Sequence, residues 1–297
     1  MVSLEKQKLK RDLRTRLGRF IGSESKRYHP HLYSVLEEIR NNEYPAFLCG
    51  GAVRDILLSN NSVPRDLDII MGYVSGEKLA ALFSSKVKGK TSFGGLKLQV
   101  KDWSIDMWPL QDIWAFKEGR VAGNGFSDYP KITFLDIDAI AIQLFCKKRQ
   151  KRVIYSNGFF KAIATRTIEI NFKENPAPAT CIVRALQTAN KFKFSIGPKL
   201  ARYMVDYVSQ MEIEELAEIY QHRYINAHIS VEKLHNCMKS IEVQLRVSNK
   251  SPVKVFAAQE DNLVERNYSF PKNNCDLFTM TQYGKKQIQS PSGVCAL

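Results

Sequence analysis

Two short stretches decide the fold of this chain: FLCGGAVRD at residues 47–55 and RDLDIIM at residues 65–71. In the first stretch, an apolar strand runs into two glycines and then into a helical segment. Glycines at the start of a helix leave backbone N–H groups free to face a triphosphate. Arg54 follows one helical turn later, where its guanidinium adds a fixed cation. The stretch therefore predicts a phosphate-binding turn at Gly50 and Gly51.

The second stretch places two carboxylates on one face of a predicted strand. Asp66 and Asp68 occupy positions i and i+2, while Leu67 and Ile69 point to the opposite face. Two neighbouring carboxylates repel each other unless a divalent cation neutralises them, and Mg²⁺ takes such oxygen ligands together with substrate phosphates. Asp-x-Asp alone is a weak signal, because most such pairs lie in solvated turns. The diglycine turn just before it favours a metal site.

A third carboxylate follows in the stretch WSIDMW at residues 103–108. Apolar and polar residues alternate on both sides of a likely turn at Lys101 and Asp102, which predicts a β-hairpin. Asp106 then lies on a strand beside the first pair, and carboxylates on neighbouring strands are what two-metal phosphoryl transfer requires. We predict that Asp66, Asp68 and Asp106 are catalytic ligands of two Mg²⁺ ions.

The order of the predicted elements indicates an α+β fold, with a small mixed sheet backed by helices. From about residue 134 the pattern becomes helical, and the last 50 residues show no sustained periodicity. We predict four segments, which are a basic N-terminal helix at 1–30, a domain at 31–133 that holds the mixed sheet and the three carboxylates, a helical domain at 134–245, and an irregular tail at 246–297.

The N-terminal helix is predicted from leucines at helical spacing between basic residues. Two interpretations are open for it: a solvated helix face packed on the neighbouring domain, which we favour, or an RNA-binding arm.

Composition limits the partners of the chain. Lys and Arg total 44 against 30 acidic residues, giving a net charge of +14 and a pI near 9.4. A polyanion such as RNA is the natural partner to expect, although a generally basic protein has the same composition. The six cysteines are scattered without a CxxC pair, which argues against a zinc module or a disulfide framework. With no secretion signal or membrane span expected, the sequence favours a cytoplasmic protein.

At residues 47–110 the chain resembles the head domain of the tRNA nucleotidyltransferase and poly(A) polymerase family. The family motif GGxVRD followed by DxD matches residues 50–55 and 66–68, and FGG at 93–95 resembles the turn before the carboxylate hairpin. The resemblance implies a polymerase-β-like nucleotidyltransferase that uses an NTP and releases pyrophosphate. It also implies a nucleotide-binding set, namely Gly50, Gly51, Arg54, Asp55, Arg65 and Arg184.

The resemblance weakens in the neck. RALQTANKFKFSI at residues 184–196 is similar to the family's neck-helix signature. The preceding EDxxR motif, whose Asp and Arg read the base edge in CCA-adding members, falls on APATC at residues 177–181. Pro178 and Cys181 replace that aspartate and arginine and cannot supply the same hydrogen bonds. Arg184 and Lys191 lie on one helical face. Two interpretations are open for them: they line a nucleotide or RNA path, or they are solvated helix charges.

A second departure concerns two aspartates. The family's RRDFTINA resembles ITFLDIDA at residues 132–139, with Asp138 in place of the asparagine. We expect Asp138 to cap a helix over AIAIQLF. Asp136 is a weaker candidate for reaching the nucleotide sugar or the metal region.

Three functions remain open at this point. The first is addition of nucleotides to an RNA 3′ end, short of full CCA addition because the chain continues only briefly after the neck. The second keeps the chemistry but transfers to a protein, a small molecule or another nucleotide, as in the synthesis of signalling oligonucleotides. The third is an inactive nucleic-acid-binding subunit, which the three intact carboxylates argue against. The sequence leaves the preferred NTP, the acceptor and the oligomeric state open.

Overall fold

A computed structural model of the chain describes residues 2–59, 64–91, 94–224 and 229–255. Within those ranges the helices, in chain order, are α1 (Val2–Arg19), α2 (Ser25–Tyr28), α3 (Pro30–Asn41), α4 (Gly50–Leu58), α5 (Gly76–Leu82), α6 (Trp114–Lys117), α7 (Phe159–Thr165), α8 (Pro178–Phe192), α9 (Pro198–Val208), α10 (Ile213–Arg223) and α11 (Val231–Val247). The strands are β1 (Ala46–Cys49), β2 (Asp66–Met71), β3 (Val87–Lys90), β4 (Leu96–Val100), β5 (Trp103–Pro109), β6 (Ile140–Gln143), β7 (Ile154–Ser156), β8 (Thr167–Ile168) and β9 (Ser195–Ile196).

The described residues contain a seven-stranded sheet in the order β3-β4-β5-β2-β1-β6-β7. The pairing of β2 with β5 is parallel, and the other pairings in this sheet are antiparallel. The chain crosses from β2 to β5 through α5 and the β3–β4 hairpin, which is how two adjacent strands come to run the same way. The predicted mixed sheet backed by helices is confirmed, as is the hairpin turn at Lys101 and Asp102.

The expectation that helices begin at residue 134 is wrong for residues 140–156. These residues form β6 and β7, which extend the sheet beyond β1. Ile140, Ala141 and Ile142 are fully buried, so β6 is covered on both faces. A strand that is buried on both faces has a continuous run of apolar residues in its sequence. Such a run shows no alternation, so its periodicity cannot distinguish it from a buried helix.

Helices dominate after residue 178, as predicted. α8 begins with Pro178 at its first turn, where a missing N–H costs no hydrogen bond. Its buried residues include Ile182, Val183 and Leu186, which form an apolar stripe facing α9 and α10. β8 and β9 pair in parallel beside these helices. The irregular tail at 246–297 stays a prediction, since α11 runs to Val247 and residues 256–297 lie outside the described ranges.

The N-terminal helix packs on the sheet domain through its apolar side. Leu13 and Leu17 are fully buried, and α1 contacts α4 and α7. The packing of α1 on the neighbouring domain is therefore confirmed, and whether its polar side binds RNA is a separate question. None of the helices in the described ranges combines the length and apolar character needed to cross a bilayer. The described residues form one compact unit, in which the boundaries placed at residues 30 and 133 stay predictions.

Candidate active site

Three carboxylates meet on one face of the sheet where β2 and β5 run side by side. Asp68 is in register with Asp106, and Asp66 lies two residues before Asp68 on the same face. The intervening Leu67 and the two neighbours of Asp106 are almost fully buried on the opposite face. Alternation along each strand thus divides the sheet into a carboxylate face and a core face. Adjacent strands lie about 4.8 Å apart, so the three carboxyl groups share a small area.

Their electrostatics reflect this crowding. Burial raises the pKa of Asp68 to about 7, against the opposing effect of Arg184, and the charges of Asp106 and Asp66 raise it further. Burial likewise raises the pKa of Asp106, although the nearby Lys97 lowers it. Such shifts arise where carboxylates lack enough positive charge to stay ionised. The site is short of cations for the charge that it holds.

Asp106 also has an unused acceptor. Its Oδ1 is buried and receives no hydrogen bond from the described residues. Buried polar atoms are nearly always paired, and an orphaned carboxylate oxygen indicates a missing cation, water or proton. A hard divalent cation with oxygen ligands fits this donor set.

Asp66 is held differently from the other two carboxylates. Arg65 donates to both of its oxygens, with the shortest N–O distance 2.6 Å, and both side chains are partly exposed. As the side chains stand, no group of three His, Cys, Asp or Glu within the described ranges is arranged to hold a metal ion. The fit of Mg²⁺ therefore rests on the chemistry of the carboxylate face, and Asp66 must leave Arg65 to join the other two.

The diglycine turn lies against this face. Cys49, at the end of β1, is in register with Asp68, and α4 begins at the next residue. Gly50 has a φ of +64°, and a Cβ at this position would lie 3.5 Å from Oδ2 of Asp68. The backbone conformation favours glycine, whereas a Cβ at this distance would make only an ordinary contact. The N-terminal N–H groups of α4 are thereby brought beside the carboxylates, where they can bind an anion.

Arg54 and Asp55, both predicted to bind the nucleotide, form part of a buried ionic network. The Arg54 guanidinium donates to Asp55 at 2.8 Å and to Asp138 at 2.6 Å, and its side chain is only 11% exposed. Lys191 of α8 donates to Asp55 at 2.8 Å. The network joins α4 to α8. Since the charges of Arg54 and Asp55 are partnered within the protein, their contribution to nucleotide binding stays a prediction.

Asp138 does not cap a helix, because β6 follows it rather than the expected helix. It lies in a short 3₁₀ turn, is 2% exposed and accepts from Arg54. Its second oxygen receives no hydrogen bond from the described residues, but the Arg184 Nε lies 3.8 Å away. Asp138 is thus the buried anion between two arginines. Sequence reasoning missed this role, because Arg54 and Asp138 are 84 residues apart.

Asp136, the other aspartate of this turn, is occupied elsewhere. Its Oδ1 accepts the backbone N–H of Glu169, and its own N–H donates to the Glu169 carbonyl. Burial raises the pKa of Asp136 to about 7. These bonds tie the turn to residue 169.

Arg184 brings positive charge to the carboxylate face from α8. Its side chain is 41% exposed, and its charge lowers the pKa of Asp68. Arg223, at the end of α10, was not singled out from the sequence because it belongs to no motif. Burial, followed by repulsion from Arg184 and then from Arg65, lowers the pKa of Arg223. Arg65, Arg184 and Arg223 are therefore within electrostatic reach of one another, although they come from three separate elements.

Helix packing explains how Arg223 reaches this place. The Tyr220 hydroxyl of α10 donates to the Gln187 side chain of α8. One helical turn further along α10 is Arg223, and one turn back along α8 is Arg184, so antiparallel packing brings the two together. The position of Arg223 beside Arg184 therefore follows from the pairing of α8 with α10 and from no local sequence pattern.

The start of α8 has no polar side chain at the two positions where the resembled family has its base-reading pair. Pro178 is in the first turn and has no N–H, and Cys181 is half-buried near Arg184 and Arg223. Burial raises the pKa of the Cys181 thiol to about 11, so it stays neutral at physiological pH. The position thus presents a weak hydrogen-bonding group.

Known proteins resemble this chain in structure rather than in sequence. No family model matches the chain, and no curated protein matches it. A solved structure of a tRNA-processing enzyme complex matches with a TM-score of 0.50 and 17% identity, covering 72% of this chain and 57% of that one. A crystal structure of a tRNA nucleotidyltransferase with a primer tRNA and an incoming ATP analogue matches with a TM-score of 0.50 and 15% identity, covering 72% and 62%.

These matches establish the fold. The chain has the polymerase-β-like nucleotidyltransferase fold predicted from its motifs. It spans less than two thirds of the length of the two structures. At such low identity, the activity of those enzymes does not transfer with the fold.

Proposed function

We propose that this protein is a Mg²⁺-dependent nucleotidyltransferase that transfers NMP from an NTP to the 3′ hydroxyl of an RNA. The single observation that carries the proposal is the carboxylate face, on which Asp68 and Asp106 are in register and Asp66 lies beside them. The fold and the diglycine turn beside this face support it. An NTP and an RNA are the expected substrates.

Each carboxylate has a role in the proposed reaction. Asp66, Asp68 and Asp106 would hold two Mg²⁺ ions, which when bound neutralise the triphosphate and acidify the attacking hydroxyl. The free Oδ1 of Asp106 is available to accept the proton of that hydroxyl. The new bond joins the RNA 3′ oxygen to the α-phosphorus, the bond to the bridging oxygen breaks, and pyrophosphate leaves.

Backbone and arginine groups orient the triphosphate. The N–H groups at the start of α4 and the guanidinium of Arg184 face the same region as the carboxylates. Arg65 becomes available to the leaving pyrophosphate once Asp66 releases it. Preorganised donors of this kind stabilise charge that develops in the transition state.

An alternative acceptor is favoured by one specific observation. Pro178 and the neutral Cys181 stand where CCA-adding relatives of the resembled family read the base edge. A site without that pair fits transfer to a protein, a small molecule or another nucleotide as well as to RNA. It fits poorly with the ordered addition of C, C and A.

The test is to incubate the protein with each α-labelled NTP and Mg²⁺, with and without total RNA. Label in RNA is the expected result, label in protein or small products selects the alternative, and no incorporation would overturn both. We expect Asp66→Ala/Asp68→Ala to lose transfer by at least about 100-fold, since even removal of groups that merely support metal ligands has such effects. Asp102→Ala, in the exposed β4–β5 turn, is the matched control and should keep full activity. Transfer retained by a folded double variant would refute the assignment.

A further inference from the structure

A second charged region lies away from the carboxylate face. It consists of the polar side of α1 together with the loop between β6 and β7, and we call it the basic surface. Arg14 of α1 donates from Nε to the carbonyl of Arg152 at 3.0 Å, which ties the loop to the helix. Arg152 in turn donates to the carbonyl of Leu144 at 3.1 Å, which holds the base of the loop. Two segments some 138 residues apart thus form one surface.

The basic surface holds far more positive than negative charge. α1 carries seven Lys and Arg against two acidic residues, and KKRQKR at residues 147–152 carries five cations and no acid. Lys147, Lys148, Arg149 and Lys151 are exposed, and no described carboxylate lies within ion-pairing distance of them. Burial, followed by repulsion from Lys6 and Arg14, lowers the pKa of Lys10. Cations crowded in this way favour a polyanionic partner.

The strand register gives the position of the basic surface relative to the site. Ala141 of β6 lies opposite Cys49, which lies opposite Asp68. Leu144 lies three residues further along the chain, and its backbone N–H donates to the carbonyl of Ala46. The loop therefore begins about 10 Å from the level of Asp68 along the strand direction and extends further away. A ligand that contacts both regions must span more than this distance and also pass from one face of the sheet to the other, for which a dinucleotide is too short.

The packing of α1 selects between two polyanions, a nucleic acid and an anionic membrane. A basic helix that binds lipid buries its apolar side in the bilayer. Here the apolar side is already buried within the protein, because Leu13, Leu17 and Phe20 lie in the core. Apart from Leu4 near the start of α1, what remains exposed is polar and mostly cationic, which fits phosphates on a flexible backbone and gives binding without base readout.

We propose that the basic surface binds the sugar-phosphate backbone of the RNA acceptor, several nucleotides away from the reacting 3′ end. The reaction it serves rests on the proposed function, but RNA binding by this surface is measurable without any transfer. α1 packs on the face of the sheet opposite the carboxylates, because Leu13 and Leu17 share a core cluster with Leu67. The surface therefore holds the body of the RNA while its 3′ end passes around the sheet to Asp68.

The first test measures binding. A fluorescent RNA hairpin with a single-stranded 3′ end is titrated with Lys147→Gln/Lys148→Gln/Arg149→Gln/Lys151→Gln, which alters only exposed side chains. The matched control neutralises four exposed lysines on the α9–α11 side of the protein, namely Lys199, Lys239, Lys250 and Lys254. We expect the loop variant to raise the Kd at least about tenfold and to reduce the log Kd against log salt slope by up to about 3, given roughly 0.7 per phosphate contact. Equal losses in the two variants would overturn the proposal.

The second test measures transfer and separates the two proposals. With the long RNA, the loop variant should show a raised KM for the acceptor at unchanged kcat. With a dinucleotide acceptor, which is too short to reach the basic surface, the variant and the wild type should be equal. If the wild type transfers to no acceptor, the proposed function fails while the binding result still decides the basic surface. Unchanged RNA binding with lost binding to phosphatidylserine vesicles would overturn the basic surface in favour of a membrane.

Discussion

The carboxylate face and the first turn of α8 resemble the tRNA nucleotidyltransferase family to different degrees. The face keeps the three acidic positions and the diglycine turn, in a geometry set by strand register. The first turn of α8 keeps its helix but replaces a polar reading pair with Pro178 and Cys181. The comparison teaches that these two regions can change independently, because they lie on different elements. On the proposed function, the residues assigned to phosphoryl transfer and those assigned to base reading are therefore separable.

The two regions are joined by the ionic network around Asp138, and breaking it has the largest expected effect. Asp138→Ala leaves the buried Arg54 without one of its two carboxylates. Breaking a buried pair by removing one partner costs about 3–5 kcal/mol. Urea denaturation should show a loss of unfolding free energy of that order, together with lower activity because α4 and α8 are then tied only through Asp55 and Lys191.

Asp112→Ala provides the comparison for that experiment. It removes an exposed ion pair with Lys117, whose distance is 2.9 Å, and should cost less than about 1 kcal/mol. An Asp138→Ala loss as small as this would show that the network does not hold the two regions together.

Restoring the polar pair at the start of α8 should have a medium effect. Pro178→Asp/Cys181→Arg reintroduces groups that can hydrogen-bond to a base edge. One good hydrogen bond contributes about 1 kcal/mol, so we expect roughly fivefold changes in the relative kcat/KM among the four NTPs for each hydrogen bond gained. Single-nucleotide incorporation with each NTP measures this preference.

Cys181→Ser is the control for the restored pair, because it keeps a small neutral group. Its preference should match that of the wild type. An unchanged preference in the folded double variant would show that the base is read elsewhere, and Arg223 would be the next residue to replace.

The last expected effect depends on pH and concerns Asp136, which belongs to the same 3₁₀ turn as Asp138. Its pKa is raised to about 7 in the folded protein, so the folded state binds this proton more tightly than the unfolded state. Its contribution to stability is present below pH 4 and is lost as the pH rises through about 7. Asp136→Asn should flatten this part of the stability profile and raise stability above pH 7.

Urea midpoints across this pH range test the Asp136 prediction, with Asp206→Asn on the exposed side of α9 as the control. Because Asp136 bonds to the backbone of Glu169, the KM for NTP should not change in the variant. A raised KM would instead support the sequence-based expectation that Asp136 reaches the nucleotide or the metal region.

The sequence alone determined the parts of this protein that depend on local periodicity. Alternation along a strand puts Asp66 and Asp68 on one face, and a positive φ at the start of a helix calls for Gly50, so both were predictable from neighbouring residues. The tertiary structure decided whatever joins distant residues: β6 and β7 in the sheet, Asp138 between Arg54 and Arg184, Arg223 beside the site, and the loop at 147–152 on α1. The physical reason is that these contacts depend on packing between elements, and local sequence patterns carry no record of which elements meet.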